Sequence, residues 1–395
     1  MTRSRTILVA WAQLGIGSVA LAQGATAIQR DGSIVEVKAS DLSEISERGW
    51  PDWRGLWIGS SILQAPEGAS AMTLQDGQVL VGGFEPNGQE LWWRNPKLGA
   101  VRVDLEHVAR IGPLAADTTR QVARDQVHFV NGDRADGFIQ SIDVTHGVRL
   151  AAITAAGAPS TEVVDHDLDR VVAVWLASRP EPAMGWRFWL RDGSVIDVDH
   201  WERLGEQVML EGCHLAGAPA RIPLDWGQVI AIRSAPTAML ALASQPWKSA
   251  DLANTPRLTP ARGRVDSGSH ALDLASIDLH GPGLFEASLP PGEWVVDADL
   301  GVPPGLSGKA ACVVVIQDGE REILRFPITS SSERMPLHAT IRTGRLVVRI
   351  EDSLQGAYGA ALRMNRPFLV PVSPSGVESS PSTSSGTVPL GPRNR

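Results

Sequence analysis

Short runs of alternating apolar and polar residues, each ending at an Asp-Gly or Asn-Gly pair, recur through the N-terminal half of the chain. They read MTLQDGQVLVG from Met72 to Gly82, VHFVNGDRADG from Val127 to Gly137, and FWLRDGSVIDV from Phe188 to Val198. Alternation of this kind indicates a half-buried strand, and the Gly-containing pair indicates a tight hairpin turn. The pattern therefore predicts an equivalent β-hairpin in each of three repeats.

A second shared phrase follows each hairpin and has the form Asp-apolar-x-x-apolar-x-x-apolar. It begins at Asp104, at Asp167 and at Asp225, and a fragment of it begins at Asp41. Such a period predicts an array of similar units, in which a polar turn precedes the closing strand of each unit. We place a truncated unit at about 28–48 and full units at about 69–112, 124–178 and 185–234. We expect each full unit to curl into a small β-barrel, because an open sheet of this size would leave long edges unpaired.

The hairpin phrases resemble the first motif of Sm-like proteins. FVNGDRADGFIQSID (Phe129–Asp143) and LQDGQVLVGGF (Leu74–Phe84) both keep a second glycine, at Gly137 and Gly82 respectively. In that family the second glycine lets a strongly bent strand continue around a five-stranded barrel. The third unit departs from the motif, since Val198 stands at the equivalent position.

Acidic residues in the second phrase argue against the RNA binding that Sm-like proteins perform. Asp104 and Glu106 in one unit, and Asp167 and Asp169 in another, replace the family's basic Arg-Gly motif. Asp165-His166-Asp167-Leu168-Asp169 also resembles a cation-binding stretch, but its counterparts in the sister units lack further ligands, and hard cations require six or more oxygens. We therefore expect a polar turn there, and we predict no metal and no cofactor.

The residue pattern of the chain changes after about Ala235. A proline-rich linker is expected over 235–268, and short strands at intervals over 269–372 predict a β-sandwich. Val296–Gly301, Val313–Gly319 and Thr343–Asp352 resemble strands of the novel putative carbohydrate-binding module (NPCBM) family, a jelly roll attached to exported glycoside hydrolases. The resemblance implies a jelly-roll fold and carbohydrate binding. The chain departs from it at Leu279–Gly283 and at Arg363–Arg366.

The two ends of the chain read as an export signal and a tail. Positive charge in MTRSR, an apolar run from Thr6 to Ala22 and two small-x-small sites predict a signal peptide within residues 1–27, with cleavage before Gln23 or Ile28. The alternative is a membrane anchor, for which the run is short. Residues 373–395 are rich in Ser, Pro and Gly and are expected to be disordered. The mature protein is therefore expected to be periplasmic or secreted, without membrane attachment.

The formal net charge of −8 disfavours nucleic acids and anionic membranes as partners. Cys213 and Cys312 are interpreted as buried free thiols, although an exported setting also permits a disulfide. The sequence contains no Gly-x-Ser-x-Gly, His-Glu-x-x-His, phosphate-loop or Cys-x-x-Cys motif, which favours a protein that is not an enzyme.

Aromatic residues supply the candidate ligand-binding site. Trp50, Trp53 and Trp57 in the loop WPDWRGLW could stack on a sugar ring, or they could form a hydrophobic plug between the first two units. Trp294 is expected to face the core of the sandwich. The sequence thus predicts an exported all-β protein of Sm-like barrels and a jelly-roll sandwich, which binds a glycan or an envelope polymer without being an enzyme. The alternatives are a glycoside-active enzyme or accessory subunit, and an Sm-like RNA-binding protein.

Overall fold

A computed structural model of the chain describes residues 25–372 with interruptions. The residues left undescribed within this range are 30–31, 39–41, 43–44, 46–49, 51–52, 59–67, 86–89, 115–121, 144, 154–158, 178, 216, 235–238, 251–261, 266–271, 273, 307–310, 330–333 and 353–359. The predicted signal peptide, except its last residues, and the predicted tail lie outside the described residues. Within the described part of the chain, no helix has the length and hydrophobicity needed to cross a membrane.

The truncated unit contributes three strands. They are β1 (Ala25–Gln29), β2 (Ile34–Val37) and β3 (Trp53–Ile58), and β1 pairs antiparallel with both of the others. Strand β1 begins before the boundary at residue 28 that the sequence analysis assigns to this unit. Ala25 and Ala27 are buried in it, so these residues belong to the fold.

Units 1 and 2 share one strand order. Unit 1 contains β4 (Ser70–Leu74), β5 (Val79–Phe84), β6 (Trp92–Asn95), β7 (Gly99–Arg102) and β8 (Val108–Pro113). Unit 2 contains β9 (Asp125–Phe129), β10 (Arg134–Asp143), β11 (Gly147–Ile153), β12 (Pro159–His166) and β13 (Val171–Trp175). In both units the fifth strand pairs with the first, and the first to fourth strands then pair in sequence. The predicted polar turn before each closing strand is a 3-10 turn, at Leu105–His107 and at Leu168–Arg170.

Unit 3 contains one strand more, because the long second strand is split. Its strands are β14 (Trp186–Leu190), β15 (Val195–Val198), β16 (His200–Leu204), β17 (Gln207–Glu211), β18 (Arg221–Asp225) and β19 (Val229–Ser234). Its 3-10 turn is Trp226–Gln228. The split falls at Asp199, next to the Val198 that replaces the second glycine, and the Asp199 amide donates to the Glu211 carbonyl at 3.1 Å.

The two second glycines lie where the second strand changes its partner. Strand β10 pairs with β9 up to Gly137 and with β11 from Phe138 onwards. Strand β5 pairs with β4 up to Gly82 and with β6 from Gly83. A Cβ atom at Gly82 would lie 2.0 Å from the Arg94 carbonyl oxygen, and one at Gly137 would lie 2.6 Å from that of Ala151. Only glycine allows the neighbouring strand to approach this closely.

The units extend one another's sheets. Fifth strand pairs with fifth strand between units 1 and 2, and second strand with second strand between units 1 and 3, while β19 pairs with β3 of the truncated unit. The spatial order is therefore unit 2, unit 1, unit 3, truncated unit. Among the described residues no ladder joins the fourth strand of a unit to the fifth, so the predicted barrel closure remains a prediction. Neighbours cover the edges of the fifth strands, since β8 pairs with β13 and β19 pairs with β3.

A buried polar seam lines the contact between units 1 and 3. The Arg187 guanidinium donates through Nε and Nη2 to the two carboxylate oxygens of Asp197, each at 2.7 Å. Arg187 also donates to the Asp76 carbonyl at 2.5 Å, and the Gln78 side chain accepts from the Asp197 amide at 2.9 Å. The pairing offsets part of the cost of burying the two charges, and burial still raises the pKa of Asp197 against the opposing effect of Arg187.

The C-terminal half is the predicted β-sandwich. Its strands are β20 (Leu240–Ala241), β21 (Trp247–Ala250), β22 (Arg262–Val265), β23 (Ile277–His280), β24 (Gly283–Ser288), β25 (Trp294–Gly301), β26 (Ala311–Asp318), β27 (Arg321–Thr329), β28 (Met335–Ile341), β29 (Arg345–Asp352) and β30 (Ala361–Pro371), with a 3-10 turn at Leu242–Ser244. One sheet has the order β22-β23-β30-β25-β28 with β20 also on β30, and the other has the order β21-β24-β29-β26-β27. From β23 to β30 this alternation between two sheets is the strand order of a jelly roll.

Three of these strands, β20 to β22, lie in the segment that the sequence analysis assigns to the linker. Each of these strands is only two to four residues long, so the proline and polar residues around it hide its pattern in the sequence. Backbone pairing to β30, β24 or β23 holds each strand in place. Trp294 packs in the sandwich core as predicted, and its Nε1 donates to the Pro290 carbonyl at 2.9 Å.

An apolar cluster joins the two halves of the protein. Phe368 and Val370 on the outer face of β30 pack in it with Ile28, Trp189 and Ile230 of the N-terminal half, among others. We call this contact the junction. All five side chains are nearly excluded from solvent, so the sandwich packs directly against the N-terminal units.

Candidate ligand-binding sites

Trp50 and Trp53 belong to an aromatic cluster on the core of the N-terminal half. The Trp50 ring makes edge contacts with Trp53, Trp186 and Trp201 at centroid distances of 5.0–5.8 Å. Its Nε1 donates to the Trp53 carbonyl at 2.7 Å. Both rings are half-buried. These contacts join the truncated unit to unit 3, whereas the sequence analysis placed the alternative hydrophobic plug between the truncated unit and unit 1.

Trp57 lies apart from these two rings, at the junction. The Arg366 guanidinium lies over its ring, 4.1 Å from the centroid, and pairs with the Asp299 carboxylate at 3.0 Å. Arg366 has a φ of 49°, in the left-handed region that non-glycine residues seldom adopt. The structure therefore separates the three predicted ligand residues into an aromatic cluster (Trp50 and Trp53) and a junction contact (Trp57).

The sandwich face beside Trp57 carries further polar groups. Asp297 on β25 is buried and accepts from the His338 ring, with Nδ1 and Oδ2 3.0 Å apart. Burial raises the pKa of Asp297, against the opposing effect of His338. Together with Asp299 and Arg366, these groups form a polar face that the sequence analysis did not single out.

A cleft of about 580 Å³ opens between units 1 and 2. We call it the inter-unit cleft. The second strand of unit 2 continues past its bend at Gly137, and its far end meets the 3-10 turn of unit 1 there. The cleft is lined by Glu90, Leu91, Arg102, Val103, Asp104, Leu105, Glu106, Gln140, Ser141 and Ile142.

Apolar and polar side chains alternate along the cleft walls. Leu91, Val103 and Ile142 are buried and give it an apolar base. The polar groups offer carboxylate, guanidinium, amide and hydroxyl functions. A sugar ring presents C–H patches flanked by hydroxyls, so an apolar base with polar walls is the chemistry it requires.

The polar groups of the cleft are held by local contacts. Arg102 lies with Nη1 3.4 Å from a Glu90 carboxylate oxygen and Nε 4.0 Å from Asp104. Trp92 beside it donates from Nε1 to Glu90 at 3.2 Å. These contacts place Arg102 and Trp92 beside the Glu90 carboxylate.

Asp143 supports the unit 2 wall from behind. It is buried, and it accepts from the backbone amides of Thr145 and His146 at 2.8 Å each and from the Ser141 hydroxyl at 3.4 Å. Burial alone would raise the pKa of Asp143, but the hydrogen bonds from His146 and Thr145 outweigh it, so the pKa lies below the ordinary value. Asp143 therefore stays ionised at neutral pH, close to the Ser141 hydroxyl.

Two clusters of acidic residues contain possible metal ligands. Asp104, Glu106 and His107 bring three ligand atoms within 4.8 Å of one another, but all three side chains are exposed, as isolated acidic groups often are. In the Asp165–Asp169 stretch, Asp165 pairs with Arg149 at 3.2 Å, and the following residues form the 3-10 turn of unit 2. Cys213 and Cys312 are free thiols, and burial raises the pKa of each to about 11.

The sequence signals the acidic turn of the cleft but not the cleft itself. Asp104 and Glu106 were noted because they replace a basic motif. Glu90, Arg102, Gln140 and Ser141 lie in different units or strands, and their approach depends on the unit 1–unit 2 contact. No spacing within the sequence signals that contact.

No protein-family model matches the chain, and no curated protein matches it. Among solved structures, the second CBM51 module with INT domains of Clostridium perfringens ZmpB, in complex with GlcNAc, is 8% identical, over 44% of this chain and 40% of that chain, with a TM-score of 0.28. CBM51 from Clostridium perfringens GH95, in complex with methyl-galactose, is 11% identical over 33% and 99% respectively, with a TM-score of 0.26. Tandem CBM51 modules of a family 98 glycoside hydrolase from Streptococcus pneumoniae are 7% identical over 88% of each chain, with a TM-score of 0.28. We draw no argument from similarities this low.

Proposed function

We propose that this chain is an exported protein that binds carbohydrate or a carbohydrate-containing envelope polymer and is not itself an enzyme. The observation that carries the proposal is the inter-unit cleft, whose apolar base and polar walls suit a short glycan segment. The NPCBM-like strand phrases, which lie on a jelly-roll sandwich, support the same reading. The Sm-like resemblance of the units remains a proposal about their fold.

Export is supported by the sequence of the first residues and by the position of β1. Cleavage before Ile28 would remove Ala25 and Ala27, which are buried and pair with β2 and β3. Cleavage before Gln23 leaves that strand whole. We therefore propose Gln23 as the mature N-terminus, and mass spectrometry of the exported protein tests it.

A second candidate site lies at the junction. Trp57, Arg366, Asp299 and Asp297 place an aromatic ring beside charged groups, and Trp57 is one of the three residues the sequence analysis selected. The Arg366 guanidinium occupies one face of the Trp57 ring, so a sugar would have to displace it in order to stack there. This requirement favours the inter-unit cleft.

Gln140→Trp, at the inter-unit cleft, and Trp57→Ala, at the junction, distinguish the two sites. Gln140 is exposed on the cleft wall, so Gln140→Trp adds bulk to the cleft at little cost to folding. Glu162→Trp on β12 is the matched control, an exposed strand position that does not line the cleft. The mature protein and its variants are titrated against a panel of soluble glycans by isothermal calorimetry.

We expect Gln140→Trp to abolish glycan binding and Glu162→Trp to preserve it. Loss of binding in Trp57→Ala, with normal binding in Gln140→Trp, would move the site to the junction. A wild-type protein that binds no glycan in the panel would overturn the proposed function.

A further inference from the structure

The charges that line the inter-unit cleft are unequal. Three carboxylates line it, from Glu90, Asp104 and Glu106, and Arg102 is the one cation among its described lining residues. Arg102 already faces two of those carboxylates, at 3.4 Å and 4.0 Å. The cleft therefore has an excess of negative charge, on a chain that is itself acidic.

Carboxylate oxygens of the cleft are also left available to accept hydrogen bonds. The Glu106 carboxylate is 80% exposed, and His107, whose ring nitrogen lies 3.8 Å away, also faces Glu181 at 3.5 Å. Asp104 touches Arg102 only at the limit of an ion pair. An ionised carboxylate accepts hydrogen bonds and cannot donate them. These carboxylates therefore require donor groups on a ligand.

We infer that the inter-unit cleft binds glycans that carry ammonium groups, such as amino sugars with free amines, in preference to neutral glycans, and disfavours glycans that carry carboxylates or phosphates. The inference rests on the proposed function and specifies its ligand class. An ammonium group supplies three donors and a positive charge to Glu106 and Asp104, whereas hydroxyls supply donors alone. A uronate or a phosphate brings a negative charge to a wall that is already negative.

The size of the preference follows from the exposure of these carboxylates. An ion pair between exposed groups contributes about 0.2–1 kcal/mol, which corresponds to about a 1.4- to 5-fold change in affinity for each pair. Two such pairs give about a 2- to 30-fold preference for the ammonium-bearing glycan at low salt. Salt should reduce it, because the screening length falls from about 30 Å at 0.01 M to about 3 Å at 1 M.

The test compares three oligosaccharides of equal length on the mature protein. They are oligomers of glucosamine, of N-acetylglucosamine and of galacturonate, titrated by calorimetry at mildly acidic pH, where the amines are protonated and most carboxylates remain ionised. Each titration is repeated at low and at high salt. Glu106→Gln removes one wall carboxylate with little change in shape, and Glu162→Gln on β12 is the control.

At low salt we expect the glucosamine oligomer to bind most tightly, the N-acetylglucosamine oligomer less tightly and the galacturonate oligomer least tightly. Glu106→Gln should lower the ratio of the affinity for the glucosamine oligomer to that for the N-acetylglucosamine oligomer by about 1.4- to 5-fold. Glu162→Gln should leave this ratio unchanged. Equal binding of the three oligomers, or a preference for galacturonate, would overturn the inference and leave glycan binding standing. Failure of all three to bind, together with failure of the wider glycan panel, would overturn the proposed function instead.

Discussion

Replacing Gly137 by valine should destabilise unit 2 far more than a change of strand propensity explains. A Cβ atom at this position would lie 2.6 Å from the Ala151 carbonyl oxygen and 2.7 Å from Leu150 Cδ1. Both atoms belong to β11, whose Ala151 pairs with Phe138 directly after the glycine. Strands β10 and β11 must therefore separate, and the Leu150 side chain must also shift.

The magnitude follows from those two responses. Overpacking of a well-packed site typically costs about 1–3 kcal/mol, and loss of one ladder hydrogen bond adds about 1 kcal/mol. We therefore expect Gly137→Val to lower the free energy of unfolding by about 2–4 kcal/mol, against about 1 kcal/mol for the whole range of strand propensities. Gly83→Ala is the control, because a Cβ atom there has open space around it, and its effect should stay within about 0.5 kcal/mol.

Urea unfolding followed by tryptophan fluorescence measures the change. Hydrogen exchange followed by mass spectrometry then shows whether the loss of protection is concentrated in peptides from β10 and β11. If Gly137→Val unfolds at the same urea concentration as the wild type and as Gly83→Ala, the close approach of the two strands does not exist and the bent-strand account of the units is wrong.

Three further predictions concern other parts of the fold. Arg187→Met should lower the free energy of unfolding in urea by about 3–5 kcal/mol, because it leaves Asp197 buried without its cation. The double variant Arg187→Met with Asp197→Leu should recover most of that loss. A double variant that is no more stable than Arg187→Met would contradict this. Burial works to raise the pKa of Asp318, but hydrogen bonds from Thr343 and the Arg342 amide hold it below the ordinary value, so its contribution is present at neutral pH and is lost as pH falls through the native pKa. Unfolding of Asp318→Asn should therefore depend less on pH in the acid range than unfolding of the wild type, and parallel curves would refute the assignment. A fragment spanning 239–372 should fold but bind the dye ANS more than the whole protein does, because it exposes the junction, and equal dye binding would show that the junction buries little.

The sequence predicted the repeated units better than their assembly. Alternation and the Gly-containing turns located the hairpins, and the repeat of Asp-apolar-x-x-apolar located the 3-10 turns, because both signals are local. The second glycines were recognised because a bend in a strand excludes a side chain at a single position. Contacts between units were missed because they join residues far apart in the sequence, as when Val79 pairs with Val195.

The candidate site shows the same limit. The tryptophans were selected by residue type, and the structure divides them between an aromatic cluster and the junction. The inter-unit cleft draws its residues from two units and has no continuous motif. Its acidic turn was visible in the sequence, but the apolar base and the amide and hydroxyl groups opposite were not.

The most direct test of the central claim is a calorimetric titration of the mature protein and of Gln140→Trp with the glycan that binds the wild type best. The account predicts saturable binding to the wild type and none to Gln140→Trp, while both proteins unfold at the same urea concentration. Equal binding by the two proteins would contradict the assignment of the inter-unit cleft as the glycan site.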